Sequence, residues 1–197
     1  MNQYFKIYKP FQVLSQFSKE ENKPVLSDFF TLPKDVYPVG RLDFDSEGLL
    51  LLTNNKQLNH RLLNPQFQHK RCYWVQVDGA ITLTAINEMK NGIDINIDGK
   101  IYRTKKMNAE IFAIDPTVPL RIPPIRFRKE IPAPWISLEL TEGKNRQVRK
   151  MTAKIGYPTL RLIRFSIENI TIEGMQPGDI IELSEMEVFE ALFHVKH

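Results

Sequence analysis

Apolar and polar positions alternate along "YFKIYK" (residues 4–9), a strand pattern that Pro10 ends. "VLSDFF" has the look of a single helical turn. "GLLLLT" is short, wholly apolar at its centre and bounded by polar residues, which predicts a buried strand. Asn54 or Asn55 can cap a helix over 56–63, closed by Pro65. "CYWVQVDG" is rich in aromatic and β-branched residues and reads as a strand. Thr82 caps a helix through "LTAINEMK", with Gly92 as its stop. "IDINIDGKIYR" alternates around Asp-Gly, a hairpin signal, and "AEIFAI" is a further strand. Six prolines between 115 and 134 (Pro116, Pro119, Pro123, Pro124, Pro132, Pro134) forbid regular structure and predict a long irregular loop. "WISLEL" resumes as a strand. In "NRQVRKMTAKIG", Val148, Met151, Thr152 and Ile155 share one helical face, and Gly156 stops the helix. "TLRLIRFSI" and "IIEL" are strands, and "SEMEVFEALF" is an acidic helix. Hairpins mixed with helices that do not alternate regularly predict an α+β fold with a largely antiparallel sheet.

Composition narrows the class. The 197 residues are 42% hydrophobic, enough for a real core in one domain or one domain with two lobes. No apolar run approaches the length of a membrane span, and "MNQYFKIYKPF" lacks the unbroken apolar core of a signal peptide. The single cysteine, Cys72, cannot form an internal disulfide, which suits a reducing cytosol; within a strand-like run it reads as a plain thiol. A net charge of +4 hides an uneven distribution. Residues 121–164 hold 11 Lys or Arg against Glu130, Glu139 and Glu142, a local net of +8, while the remainder is −4. That is the footprint of a polyanion binder, or of a solvated basic face.

The chemistry-bearing stretch is "GRLDFDSEGLLLLTNN" (40–55), where Arg41, Asp43, Asp45 and Glu47 stand at the mouth of the most apolar strand. A calcium loop fails, because Leu51 and Asn54 occupy its ninth and twelfth positions where a bidentate Glu must close the site. A paired-carboxylate hydrolase, with Asp43 and Asp45 as acid and base, is a weaker alternative. A polar turn held by ordinary hydrogen bonds stays open.

The same stretch resembles the signature of the RsuA-type pseudouridine synthases. "RCYWVQVDG" and "LTEGKNRQVRKM" resemble two further blocks of that family, in the same order, and "YKPFQVLSQF" and "PTLRLIRFSI" extend the likeness across nearly the whole chain. Gln12 stands where many relatives have Gly, Arg71 where Lys is usual and Lys150 where Arg is usual. The resemblance implies a pseudouridine synthase fold: a mixed, largely antiparallel sheet in two lobes, flanked by helices and loops, with a central active-site cleft. It implies a single catalytic domain over 1–197, with no preceding S4 RNA-binding domain.

It also implies an activity, isomerisation of a uridine to pseudouridine in 23S ribosomal RNA or a large-subunit precursor. No cofactor and no metal are expected, and the expected state is a cytoplasmic monomer without membrane association. Asp43 becomes the catalytic carboxylate, as nucleophile or as base. Tyr73 stacks on the flipped base, and Arg149 supplies the cation that keeps Asp43 ionised against desolvation. Arg41 holds a phosphate or braces the turn. Arg146, three residues before Arg149 and expected on its side of the helix, contacts phosphate or substrate. Lys144 and Lys150 of the same block are assigned to RNA. In the Pro-rich loop, Arg126, Arg128 and Lys129 beside Phe127 combine cations with an aromatic, as looped RNA requires. Asp45 and Glu47 are expected to brace the turn. A non-catalytic RNA-binding or ribosome-assembly factor on the same fold is the alternative.

Overall fold

A computed structural model describes residues 1–126 and 128–193. In chain order these form strands β1 (Tyr4–Lys9), β2 (Tyr37–Pro38) and β3 (Glu47–Thr53), helix α1 (Lys56–Leu63), strand β4 (Arg71–Val77) and helix α2 (Leu83–Lys90). Strands β5 (Asp94–Ile97), β6 (Lys100–Arg103), β7 (Asn108–Ile111) and β8 (Trp135–Leu140) follow, then helix α3 (Gln147–Lys154). Strands β9 (Thr159–Ile167), β10 (Ile170–Thr171) and β11 (Ile180–Leu183) and helix α4 (Glu185–Phe193) complete the order. The fold is α+β with a mostly antiparallel sheet, as the patterning predicts.

The chain divides into two compact units, Met1–His69 with the residues from Ile163 on, and Lys70–Leu162. In the first, the strand order is β11-β1-β3-β9, with β2 on β3 and β10 on β9. All seven residues of β3 are buried. A strand covered on both faces needs apolar residues at every position rather than alternately, hence the run Leu49–Leu52. Leu50 and Leu52 pack with Phe5, Ile7, Val13, Leu26, Phe30 and Val36. Each such side chain contributes roughly 1.5–3 kcal/mol of burial, which makes β3 a stiff support.

β3 runs antiparallel to β1, Lys9 facing Gly48, and parallel to β9, Gly48 facing Arg164. The approach to β9 is so close that a Cβ on Gly48 would lie 2.4 Å from the Arg164 carbonyl oxygen, and its φ of +102° also favours glycine.

In the second unit β8 lies between β4 and β7, antiparallel to both. β5 and β6 form the expected hairpin, with Asp98 and Gly99 at φ +50° and +83°, the positive pair of a type I′ turn. α2 and α3 bury Ile86, Met89, Val148 and Met151 against Val75, Val77, Ile136 and Leu138. Thr82 caps α2 by accepting the Ala85 N–H. The predicted face of α3 is the buried one, Thr152 included. Residues 115–134 contain no helix or strand among those described.

Candidate active site

Asp43 sits in the turn that leads into β3, and its position is set by backbone bonds to residues 12–15. The Ser15 hydroxyl donates to the Leu42 carbonyl oxygen at 2.8 Å and accepts the Leu42 N–H at 3.0 Å. Ser15 and Leu42 are both buried. One hydroxyl therefore satisfies both polar groups of the residue before Asp43. Past it, the Phe44 carbonyl accepts the Gln12 N–H at 2.9 Å, and the Asp43 carbonyl accepts the Ser46 N–H at 3.0 Å. The turn is held on both sides of Asp43, whose side chain is half-buried. Arg41 is exposed, and its guanidinium donates to Gln16 at 3.3 Å.

Gln12 reaches this geometry with φ +56°. A side chain in the left-handed region is strained, and glycine would adopt this conformation without that cost.

Beneath the turn lies a group of buried charges. Lys9, Glu47 and Arg164 are each under 5% exposed. The Lys9 ammonium donates to the carbonyls of Pro10 at 2.8 Å and Val13 at 2.6 Å, closing the 10–13 loop that in turn grips Phe44. Burial pulls Lys9 down to about 7, and Arg164 adds to that; Glu47, Asp43 and Asp45 oppose it. Arg164 donates from Nε to the Leu49 carbonyl at 2.8 Å, at the start of the apolar run. The carboxylates at the strand mouth thus face buried cations that no short motif announces.

The other sequence-predicted residues belong to the second unit. Tyr73 stands on β4, opposite Leu138, half-buried against the core of that unit. Arg149 is half-buried on α3, with Lys150 beside it. Arg146 departs from expectation. It precedes the helix as its N-cap, exposed and at φ +52°, so helical spacing to Arg149 does not apply to it. The cause is the helix start. Gln147 turns back, its Oε1 accepting the Lys144 N–H at 2.9 Å and its Nε2 donating to Glu142 at 2.6 Å.

Glu142 is the hub of this corner. Buried, it also accepts the Lys105 N–H at 2.9 Å and the Tyr102 hydroxyl at 2.5 Å. That hydrogen bond, with burial and the carboxylate's charge, pushes the Tyr102 phenol up to about 12. The Lys144 ammonium lies 5.0 Å from the Tyr102 ring centre.

The basic segment is only partly available to a ligand. Arg161 is buried and donates to the Pro119 carbonyl at 2.8 Å; Arg121 donates to the carbonyls of Pro123 and Leu160. These two arginines tie down the base of the Pro-rich loop. Arg128 pairs with Asp78. Arg126, Lys129 and Arg128 line a cavity of about 470 Å³ together with Asp78, Asp115 and Glu130, so its walls carry both signs. Phe127 lies outside the described residues. The Cys72 thiol, half-buried 3.4 Å from the Ser137 hydroxyl, is pushed up by burial and is no activated nucleophile.

Sequence reasoning missed Lys9, Ser15, Arg164 and Glu142. Their only signal is polar identity at strand or turn positions that the fold then buries.

The profile of the family described as RNA pseudouridylate synthase matches residues 3–154. The chain belongs to that family. It is 44% identical over 176 residues to ribosomal large subunit pseudouridine synthase E of Vibrio vulnificus, covering 89% of this chain and 73% of the other. It is 45% identical over 172 residues to the protein of that name in Xanthomonas campestris, covering 86% and 89%. A solved pseudouridylate synthase matches with a TM-score of 0.78 at 25% identity, over 98% of this chain and 74% of that one.

Proposed function

We propose that this protein isomerises a uridine of large-subunit ribosomal RNA to pseudouridine, with Asp43 as the catalytic carboxylate. The relatives at 44–45% identity carry ribosomal large subunit names. The observation that supports Asp43 is its turn: a half-buried carboxylate whose flanking backbone is fixed by buried hydrogen bonds, over a rigid strand. Fixed placement of one reacting group is what such chemistry demands.

The reaction breaks the N1–C1′ bond, turns the uracil and joins C5 to C1′. N1 gains a proton and C5 loses one, so the balance needs no oxidant or co-reactant. An ionised Asp43 acts on the sugar, as nucleophile at C1′ or as base at C2′. Arg149 keeps that carboxylate ionised. Tyr73 stacks on the flipped uracil and its hydroxyl serves the proton at C5. Arg41, Arg126, Arg128, Lys129, Lys144, Arg146 and Lys150 contact RNA. We assign the enzyme to the cytoplasm, with the ribosomal RNA it acts on, as a monomer.

Incubation with unmodified 23S ribosomal RNA, carbodiimide marking and primer extension tests this. Wild type gives a new stop. Asp43→Asn gives none, a loss of about 10³-fold or more, while RNA affinity and melting temperature hold. Pseudouridine formation by Asp43→Asn would remove the carboxylate from the mechanism. RNA binding without product from the wild type would make the protein a binding factor.

A further inference from the structure

From Gly48 to Val77 the sequence has no Asp or Glu, although the chain holds 23. The structure turns part of this stretch into a surface of the first unit. α1 exposes Lys56, His60 and Leu63, and the 3₁₀ turn after it, Pro65–Phe67, exposes Phe67. Leu63 and Phe67 remain 47% and 48% accessible. A single exposed apolar side chain needs no explanation. Here two stand on a stretch, 56–67, whose exposed charges are Lys56 and Arg61; the carboxylate at hand, Glu168, is paired with His69 at 3.0 Å.

Phe67 is also held in place. Its ring stacks on His69 at 6.2 Å and an interplanar angle of 29°, and the Arg61 guanidinium lies 5.8 Å from its centre. Arg61 is fixed in turn over Phe193, 3.6 Å from that ring centre. Asn64 caps the turn, accepting the Gln66 N–H at 3.0 Å. A pre-oriented, half-exposed ring flanked by positive charge is what an unpaired base stacks upon, with phosphates drawn to the lysine. Charge complementarity selects a polyanion over an acidic or neutral protein surface as its occupant.

We propose that the α1 face is an RNA-docking surface in addition to the residues assigned above, holding an unpaired segment of the substrate by stacking on Phe67 and ion pairing to Lys56; Leu63 sets it beside Gly40, at the start of the Asp43 turn. It rests on the pseudouridine synthase assignment.

The test uses the full chain and transcribed 23S ribosomal RNA, with Lys56→Glu, Phe67→Ala and Phe67→Tyr. Phe67→Ala should raise KM and Kd by about tenfold, with kcat at saturating RNA unchanged. Lys56→Glu should raise Kd and lower the slope of log affinity against log salt by about one. Phe67→Tyr keeps a stacking ring and should behave as wild type. Unchanged KM, Kd and salt slope in both Lys56→Glu and Phe67→Ala, with unaltered melting, would refute the surface. Weakened binding by the two variants in a protein that forms no pseudouridine would uphold the surface while overturning the enzyme assignment.

Discussion

Two irregular stretches carry the charged residues of interest, and they are built in opposite ways. The turn at 40–47 is short and gripped from within: Ser15 and Gln12 hold its backbone, and β3 beneath it is wholly buried. The Pro-rich loop at 115–134 is long and tied at its base, where Arg121 and Arg161 bind its carbonyls, while Arg126 and Lys129 stay exposed. The turn fixes one carboxylate to one geometry. The loop presents cations that can adapt to a phosphate chain. Precision and reach are separate demands, and the chain meets them with different backbone.

The comparison can be broken most severely at Lys9. Lys9→Met leaves the carbonyls of Pro10 and Val13 without their ammonium and removes its attraction for Glu47, and should cost about 3 kcal/mol. Its pH signature is separable from simple loss of packing. Because burial lowers Lys9 to about 7 in the folded protein, the unfolded chain binds the extra proton between pH 7 and its ordinary value near 10.5. Wild-type stability should therefore gain a component that grows with pH through that window, and Lys9→Met should lack it. Denaturant unfolding from pH 6 to 10 checks this; parallel profiles would refute it.

Ser15→Ala comes next. It strips the Leu42 N–H and carbonyl of their shared partner, so kcat should fall about tenfold with KM little changed, and stability should drop by about 1–2 kcal/mol. Ser15→Thr, which keeps the hydroxyl, should recover most of kcat. A fall in stability with kcat intact would make Ser15 structural only.

Reversing both Arg126 and Lys129 to Glu should weaken RNA binding severalfold and flatten its salt dependence, with turnover at saturating RNA retained. Equal affinity in filter binding across a salt series would exclude the loop from the RNA path. The smallest effect belongs to Gln12→Gly. Relief of the left-handed strain and the added freedom of the unfolded chain nearly cancel, so the midpoint should move by less than about 1 kcal/mol.

Elements governed by local pattern were legible in the sequence. The β3 run, the Asp98–Gly99 hairpin and the Val148–Met151–Thr152 face each reflect periodicity or turn chemistry within a few residues. The candidate site was legible at Asp43, Tyr73 and Arg149 only through likeness to a family. Ser15 and Glu142 escaped because their partners are set by tertiary placement: Ser15 meets Leu42 across 27 positions, and Glu142 meets Tyr102 across 40. Lys9 bonds locally, to Pro10 and Val13, but its complete burial comes from the fold around it. Arg146 was misplaced because a buried glutamine, invisible as such in "KNRQVRK", sets the first turn of α3.

The first unit is sewn from two distant pieces of chain. Gly48 finds its place only when β9 arrives beside it, and Leu49 bonds a residue 115 positions later. Closing so long a loop is slow. During synthesis the Asp43 turn therefore emerges well before the strand that must seal it. A nascent chain carries the Asp43 turn long before β9 can close over it, and completion of the first unit waits for translation to pass residue 164.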